Sequence, residues 1–331
     1  MNAKSEELIR PIVFITGAGA SADYGFPLGR ELATYIRNVL GEAWDPDRLN
    51  EFGPLVKATE SLSVDERAAA SIVLRGSLDY FDSIDRLITN RAANPNVVTL
   101  GRALIAYSIS RQENEMWDHR ARLSAGGYAS FDQCFEHSLK YPGWLSEFAR
   151  ASELARSPER AAEVLSATSF ITFNYDRTIE HMLSVLLTQI HGPEQMKRLI
   201  RRLEVIHVYG DLGTMLQSET DDYPFGEMRV PVVRDRIRLF SDPFLEQALL
   251  SRIRDRTSNA ARIAIIGFGF DQLNVERLVV EPISAPAWIT SRTDTNQMRI
   301  SNMLPNLRRL GEQNGTSLLK ASGSEIFGDL P

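Results

Sequence analysis

Pro11-Ile-Val-Phe-Ile-Thr-Gly17-Ala-Gly19-Ala-Ser21-Ala22-Asp23 runs an apolar tetrapeptide straight into two glycines, and few architectures accept that junction. Ile12, Val13, Phe14 and Ile15 leave no polar face, as in a parallel strand covered on both sides. Gly17 and Gly19 permit a tight turn and are expected to bring bare amides close to a ligand. The short helix that follows would aim its positive end at the same point. Gly17-x-Gly19-x-x-Ala22 also satisfies the dinucleotide-binding fingerprint, a pattern that tight turns meet without binding anything.

Further short apolar runs mark strands near 168–173, 204–209, 262–267, 286–291 and 316–320. Most are followed by helical periodicity, the alternation of a parallel α/β sheet of Rossmann-like type. Between the first two runs the signal is helical. Leu28, Leu32, Tyr35, Ile36 and Val39 share one face, and Val97, Leu100, Leu104 and Tyr107 another. Phe131, Phe135 and Leu139, then Trp144 and Phe148 beyond Pro142, continue the pattern. Asp45-Pro46-Asp47, Asn94-Pro95-Asn96 and Gly126-Gly127 are helix breaks. We therefore expect a nucleotide-binding domain over 1–40 and 161–331 with a helical insertion at 41–160. The polar stretch 211–235, with Asp221-Asp222, reads as either a lid or an ordinary surface loop.

Ser169-Phe-Ile-Thr172-Phe-Asn174-Tyr-Asp176 ends a buried strand in two polar residues, which alone read as a helix N-cap pair or as ligand contacts. Taken with Gly17-Ala-Gly19-Ala-Ser21, Gly25-Phe26-Pro27 and Ile265-Ile-Gly267-Phe-Gly269-Phe-Asp271, the chain resembles the sirtuin superfamily. The matched motifs, G-A-G-x-S, G-x-P, T-x-N-x-D and a late strand-and-turn, fall in sirtuin order and span most of the chain. The resemblance implies NAD as substrate, with its pyrophosphate on the amides around Ala18 and Gly19 and on the Ser21 hydroxyl, which could equally serve as a helix cap. It implies Phe26 beside the dinucleotide, Asn174 at the nicotinamide ribose and Asp176 on the carboxamide. It also brings Gly267 and Gly269 near the adenosine half, with Asn274 or Ser291 by the adenine ribose.

Sirtuins carry a histidine immediately before a glycine after the next strand. Here that position holds Tyr209, before Gly210, and His207 lies two residues earlier. Strand side chains repeat with period two, so both should point to one face. Imidazole suits proton abstraction near neutral pH, which makes His207 the expected base, acting directly or through Tyr209. Asp85 reads first as a surface helix acid and second, by resemblance to defence-type relatives with a similar Ile-Asp pair, as a residue facing the pocket. His119, His137, His181 and His191 read as structural or exposed.

A single cysteine, Cys134, and five histidines cannot assemble the four-cysteine zinc module of protein-deacetylating sirtuins, so no metal is expected. The 41–160 segment either replaces that module or caps the sheet. A zinc-free chain resembles the NAD-consuming branch of bacterial antiphage defence, restrained by oligomerisation or by a partner such as a helicase-like ATPase. Deacylation, ADP-ribosyl transfer and a non-catalytic NAD or ADP-ribose sensor stand as alternatives. A Rossmann dehydrogenase is disfavoured, because the ribose-binding acid should end a second strand where Tyr35–Leu40 reads as helix. The formal charge of −6 argues against a general nucleic-acid binder, and Lys197-Arg198-Leu-Ile-Arg201-Arg202 reads as a solvated helix side. No apolar run is long enough to span a membrane, the N-terminus has no apolar signal region, and cysteine usage fits a reducing cytoplasm.

Overall fold

Six parallel strands in the order β3-β2-β1-β4-β5-β6 build the sheet on which this chain is wound. The computed structural model describes residues 11–48, 50–81, 83–121, 143–213, 215, 228–239, 242, 247–279, 281–290, 297–312 and 314–328. In chain order, β1 (Ile12–Thr16) leads into α1 (Ala18–Ala22) and α2 (Gly29–Glu42). Then come α3 (Gly53–Ala58), α4 (Val64–Ser77), α5 (Ile84–Asn90), α6 (Pro95–Ala121), α7 (Trp144–Ala151) and α8 (Pro158–Ala167). The chain re-enters the sheet as β2 (Thr168–Thr172), followed by α9 (Thr178–His191) and α10 (Pro193–Leu199), then β3 (Glu204–His207) and α11 (Val230–Val233). The second half adds α12 (Gln247–Ser258), β4 (Arg262–Ile266), α13 (Gln272–Leu278), β5 (Ala287–Thr290), α14 (Gln297–Met303), β6 (Leu307–Glu312) and α15 (Gly315–Phe327).

The unbroken apolar run of β1 is explained by its place between β2 and β4, with both faces covered. Val13 and Ile15 point into one hydrophobic layer, shared with α2 to α6 and with α12 to α14. Ile12 and Phe14 point into the other, shared with Trp144, Leu145 and Phe148 of α7 and with α8, α9, α10 and α15. Phe14 stacks between Phe170 and Trp144, at 5.3 and 6.0 Å between ring centroids. The helices of 41–160 thus join the sheet's own cores on both faces. α6 is buried on nearly every side from Ala103 to Ser110, which makes it a central element of its layer.

Two strand expectations are corrected. Residues 316–320 are helical: Asn314 caps α15 by accepting from the Ser317 amide at 2.9 Å, and Leu318, Leu319, Ile326 and Phe327 bury one stripe. The last strand is instead Leu307–Glu312, whose Leu-Arg-Arg-Leu lacks an apolar run because it pairs only with β5 and is exposed at the sheet edge. The third strand also stops at His207, with Val208 and Tyr209 in a turn closed by Gly210 at φ +79°. Cys134, Phe131, Phe135, Leu139, Gly126-Gly127, Asp221-Asp222 and Ser291 lie outside the described residues. Among the described residues no helix is long and apolar enough to cross a membrane.

Candidate functional site

The chain winds outward from β1 through β2 to β3, then returns beside β1 as β4 and winds the other way. The carboxyl ends of β1 and β4 therefore form the switch point where open parallel sheets bind ligands. There the two following loops touch backbone to backbone. The Gly17 amide donates to the Ile266 carbonyl at 3.1 Å and the Gly19 amide to the Gly267 carbonyl at 3.1 Å. A Cβ on Gly267, at φ +62°, would lie 2.2 Å from the Ala20 nitrogen, and one on Gly19 would lie 2.7 Å from the Gly267 Cα. The expectation of bare glycine amides is corrected here: both are spent on the β4 loop, and the glycines exist to let two backbones meet. Ala18 and Gly269 remain exposed on the rim, whereas Phe26 is buried in the α2-side core.

The β2 loop closes onto the same place. Asn174 Nδ2 donates to the Ser21 hydroxyl at 2.8 Å and to the Gly17 carbonyl at 3.0 Å. The Ser21 hydroxyl in turn donates to Asp176 Oδ1 at 2.9 Å. Ser21, Asn174 and Asp176 are all buried, and with Thr16, Trp144 and Ile179 they line a small cavity on the α7–α9 side of the sheet. Burial pushes the Asp176 carboxyl up, against the hydrogen bonds from Thr178 and Ser21. Ser21 caps no helix. Asp176 does accept from the Thr178 amide at 3.2 Å, so it serves the start of α9 as well as the cluster. Sequence motifs far apart in the chain thus share one hydrogen-bonded group, with both β2-loop side chains turned inward.

His207 and Tyr209 part company, contrary to the same-face expectation, because the backbone leaves the strand between them. The His207 Nδ1–H donates to the Asn174 carbonyl at 2.9 Å and Nε2–H to Glu180 Oε1 at 2.8 Å. Burial alone would lower this imidazole, but the Glu180 carboxylate outweighs it and raises the pKa to about 9. At neutral pH His207 is a cation with both nitrogens engaged, a geometry that holds the β2 loop and leaves no lone pair for abstraction.

Tyr209 faces the other layer. Its hydroxyl donates to Asn274 Oδ1 and accepts from Arg277, whose guanidinium lies 4.8 Å from the ring centroid. Burial drives the phenol upward, away from service as a base. The Phe173 and Tyr175 rings pack against it, at 5.8 and 6.4 Å between centroids, and Phe268 extends the cluster from Phe173 to Phe270. The reading of Asp85 as a surface acid is overturned, since it accepts the Tyr175 hydroxyl, which also donates to the Arg238 carbonyl at 2.9 Å. Burial raises the Asp85 carboxyl to about 6, within the range useful for proton transfer near neutrality. Arg86, beside it, pairs with Asp271 of the β4 loop.

Arg177, next to Asp176, is buried together with Glu113 of α6. Its backbone and side-chain N–H groups both donate to Glu113 Oε1, at 3.0 and 3.2 Å, and a further N–H reaches the Gly213 carbonyl at 3.4 Å. No sequence signal pairs residues so far apart, whereas Tyr175 could have been suspected from its place between Asn174 and Asp176. His181 is buried in α9, and His191 Nε2 meets the Leu154 carbonyl at 2.9 Å, both structural placements. The side chains of His119 and His137 lie outside the description. No protein-family model and no curated protein matches this chain.

Proposed function

We propose that this chain is a sirtuin-like NAD hydrolase, which cleaves NAD to ADP-ribose and nicotinamide at the carboxyl end of its sheet. The observation that carries the reading is the Ser21–Asn174–Asp176 group, because those three polar residues belong to two motifs that resemble those of sirtuins. The Gly17, Gly19 and Gly267 contact lies beside it, and the reading seats the dinucleotide's backbone on the exposed rim at Ala18 and Gly269.

In this reaction the bond from the ribose anomeric carbon to the nicotinamide nitrogen breaks, and its electron pair leaves with nicotinamide. A water oxygen then bonds to that carbon and gives one proton to solvent. Asn174 is assigned to the ribose and the attacking water, and Asp176 to the carboxamide. His207 serves as a positioning residue, since its Nδ1–H fixes the Asn174 carbonyl. Both working side chains face inward, so turnover requires the β2 loop to release them. That requirement suits an enzyme restrained until a partner protein or a change of assembly acts. Depletion of NAD in antiphage defence, in the cytoplasm and under control of oligomerisation or a helicase-like ATPase, is part of the same proposal.

The test is incubation of the full chain with NAD, alone and with candidate partners, following nicotinamide and ADP-ribose. Release without an acyl peptide, abolished in Asn174→Ala, is the expected result. Release that needs an acyl peptide, or that survives Asn174→Ala, overturns it. A non-catalytic NAD-binding sensor is the second reading, and the engagement of both His207 ring nitrogens, by the Asn174 carbonyl and by Glu180, is the observation in its favour. NAD binding without turnover in every assembly state selects it.

A further inference from the structure

A groove of about 310 Å³ lies between α2 and the turn at 78–81, and none of its residues belongs to the site described above. Arg30, Thr34 and Arg37 fall at successive turns along one face of α2, so the groove wall carries two guanidinium groups and a hydroxyl. Asp79, Tyr80 and Phe81 form the opposite wall. Arg37 pairs with Asp79, but the two side chains are 32% and 72% exposed, and an ion pair so wet holds weakly. The Tyr80 residue is 83% exposed, an aromatic surface that the chain itself leaves in water.

We propose that this groove binds a nucleoside phosphate. Arg37 would exchange the single carboxylate of Asp79 for a phosphate, whose several oxygens and greater charge match the guanidinium fork better. Tyr80 would stack on the base, an interaction open to any base because each has a π-face. Asp79 is the opposing group, since its charge repels the phosphate that displaces it. The groove is also close in sequence to the candidate site. Ser83 caps α5 just beyond Phe81, and Asp85 of α5 takes the hydroxyl of Tyr175 beside Asn174.

Calorimetric titration of the full chain with ADP, inorganic pyrophosphate and adenosine tests the assignment without reference to NAD cleavage. ADP binding is expected to be tighter than pyrophosphate binding, with adenosine weakest. Arg37→Ala should weaken both ADP and pyrophosphate about tenfold, the scale of one charge-assisted contact. Tyr80→Ala should weaken ADP alone, and Asp79→Asn should tighten ADP and pyrophosphate together. None of these surface changes removes a core contact, so circular dichroism should show each variant folded. Affinities that stay within about twofold in both Arg37→Ala and Asp79→Asn, or no ADP binding to Asp79→Asn at millimolar concentration, would overturn the proposal.

Discussion

The Ser21 hydroxyl lies 2.9 Å from the Asp176 carboxylate and joins the β1 loop to the β2 loop across 155 positions of sequence. The same oxygen accepts from Asn174 at 2.8 Å, so one small side chain satisfies an amide and an acid that are both buried. Ser21→Ala leaves each of them short of a partner, at a cost of about 1–3 kcal/mol. The unfolding free energy from urea titration should fall by that amount, and the proposed NAD cleavage should fall further than the folded fraction. A midpoint equal to wild type would mean the three groups do not share this hydroxyl in solution.

The His207–Glu180 pair predicts how stability changes with pH. The folded pKa of His207, about 9, stands above its unfolded value near 6.5. A raised pKa means the folded state holds its proton more tightly, so the contribution is complete below the unfolded value. It is lost as pH rises through about 9. Denaturant midpoints should therefore decline between about pH 6.5 and 9.5, and His207→Gln should flatten that decline. A wild-type midpoint that climbs over this window would contradict the ion pair.

What the sequence made legible was local. β1 and β2 announced themselves because burial on both faces demands an unbroken apolar run, whereas Gly17 and Gly267 stood out as ligand contacts and are instead where two backbones touch. β6 was missed because an edge strand can be wet, and its place went to a stretch whose leucines fit a helix equally well. The residues of the candidate site were named in advance, but their directions were not. Period two holds only while the strand continues, and the turn after His207 sends Tyr209 to the opposite layer. Glu113, and Tyr175 as the partner of Asp85, went unseen because each contact is made only through tertiary packing.

Gly267 offers a test of the loop contact alone. At φ +62°, with the Gly19 Cα 2.5 Å from where a Cβ would sit, Gly267→Ala must push the β1 and β4 loops apart. Conformational strain and the clash together should cost at least about 2 kcal/mol. Gly269 serves as the control, since a Cβ there meets nothing within 4 Å, and Gly269→Ala should change the urea midpoint little. Equal effects of the two substitutions would show that the loops do not meet as described.

Glu113 and Arg177 make the deepest charge pair among the described residues, with side chains 0% and 1% exposed. The pair joins α6 to the residue after Asp176, so its removal should reach both stability and the candidate site. Glu113→Ala leaves a guanidinium in an apolar layer without its carboxylate, which costs about 3–5 kcal/mol. The net value of a buried pair is far smaller, because both ions gave up water to form it. Replacing both residues, Glu113→Leu with Arg177→Met, should therefore cost less than Glu113→Ala alone. Thermal and urea unfolding of the three proteins decide the matter. A double variant that is less stable than the single one would show that the pair contributes attraction well beyond its desolvation.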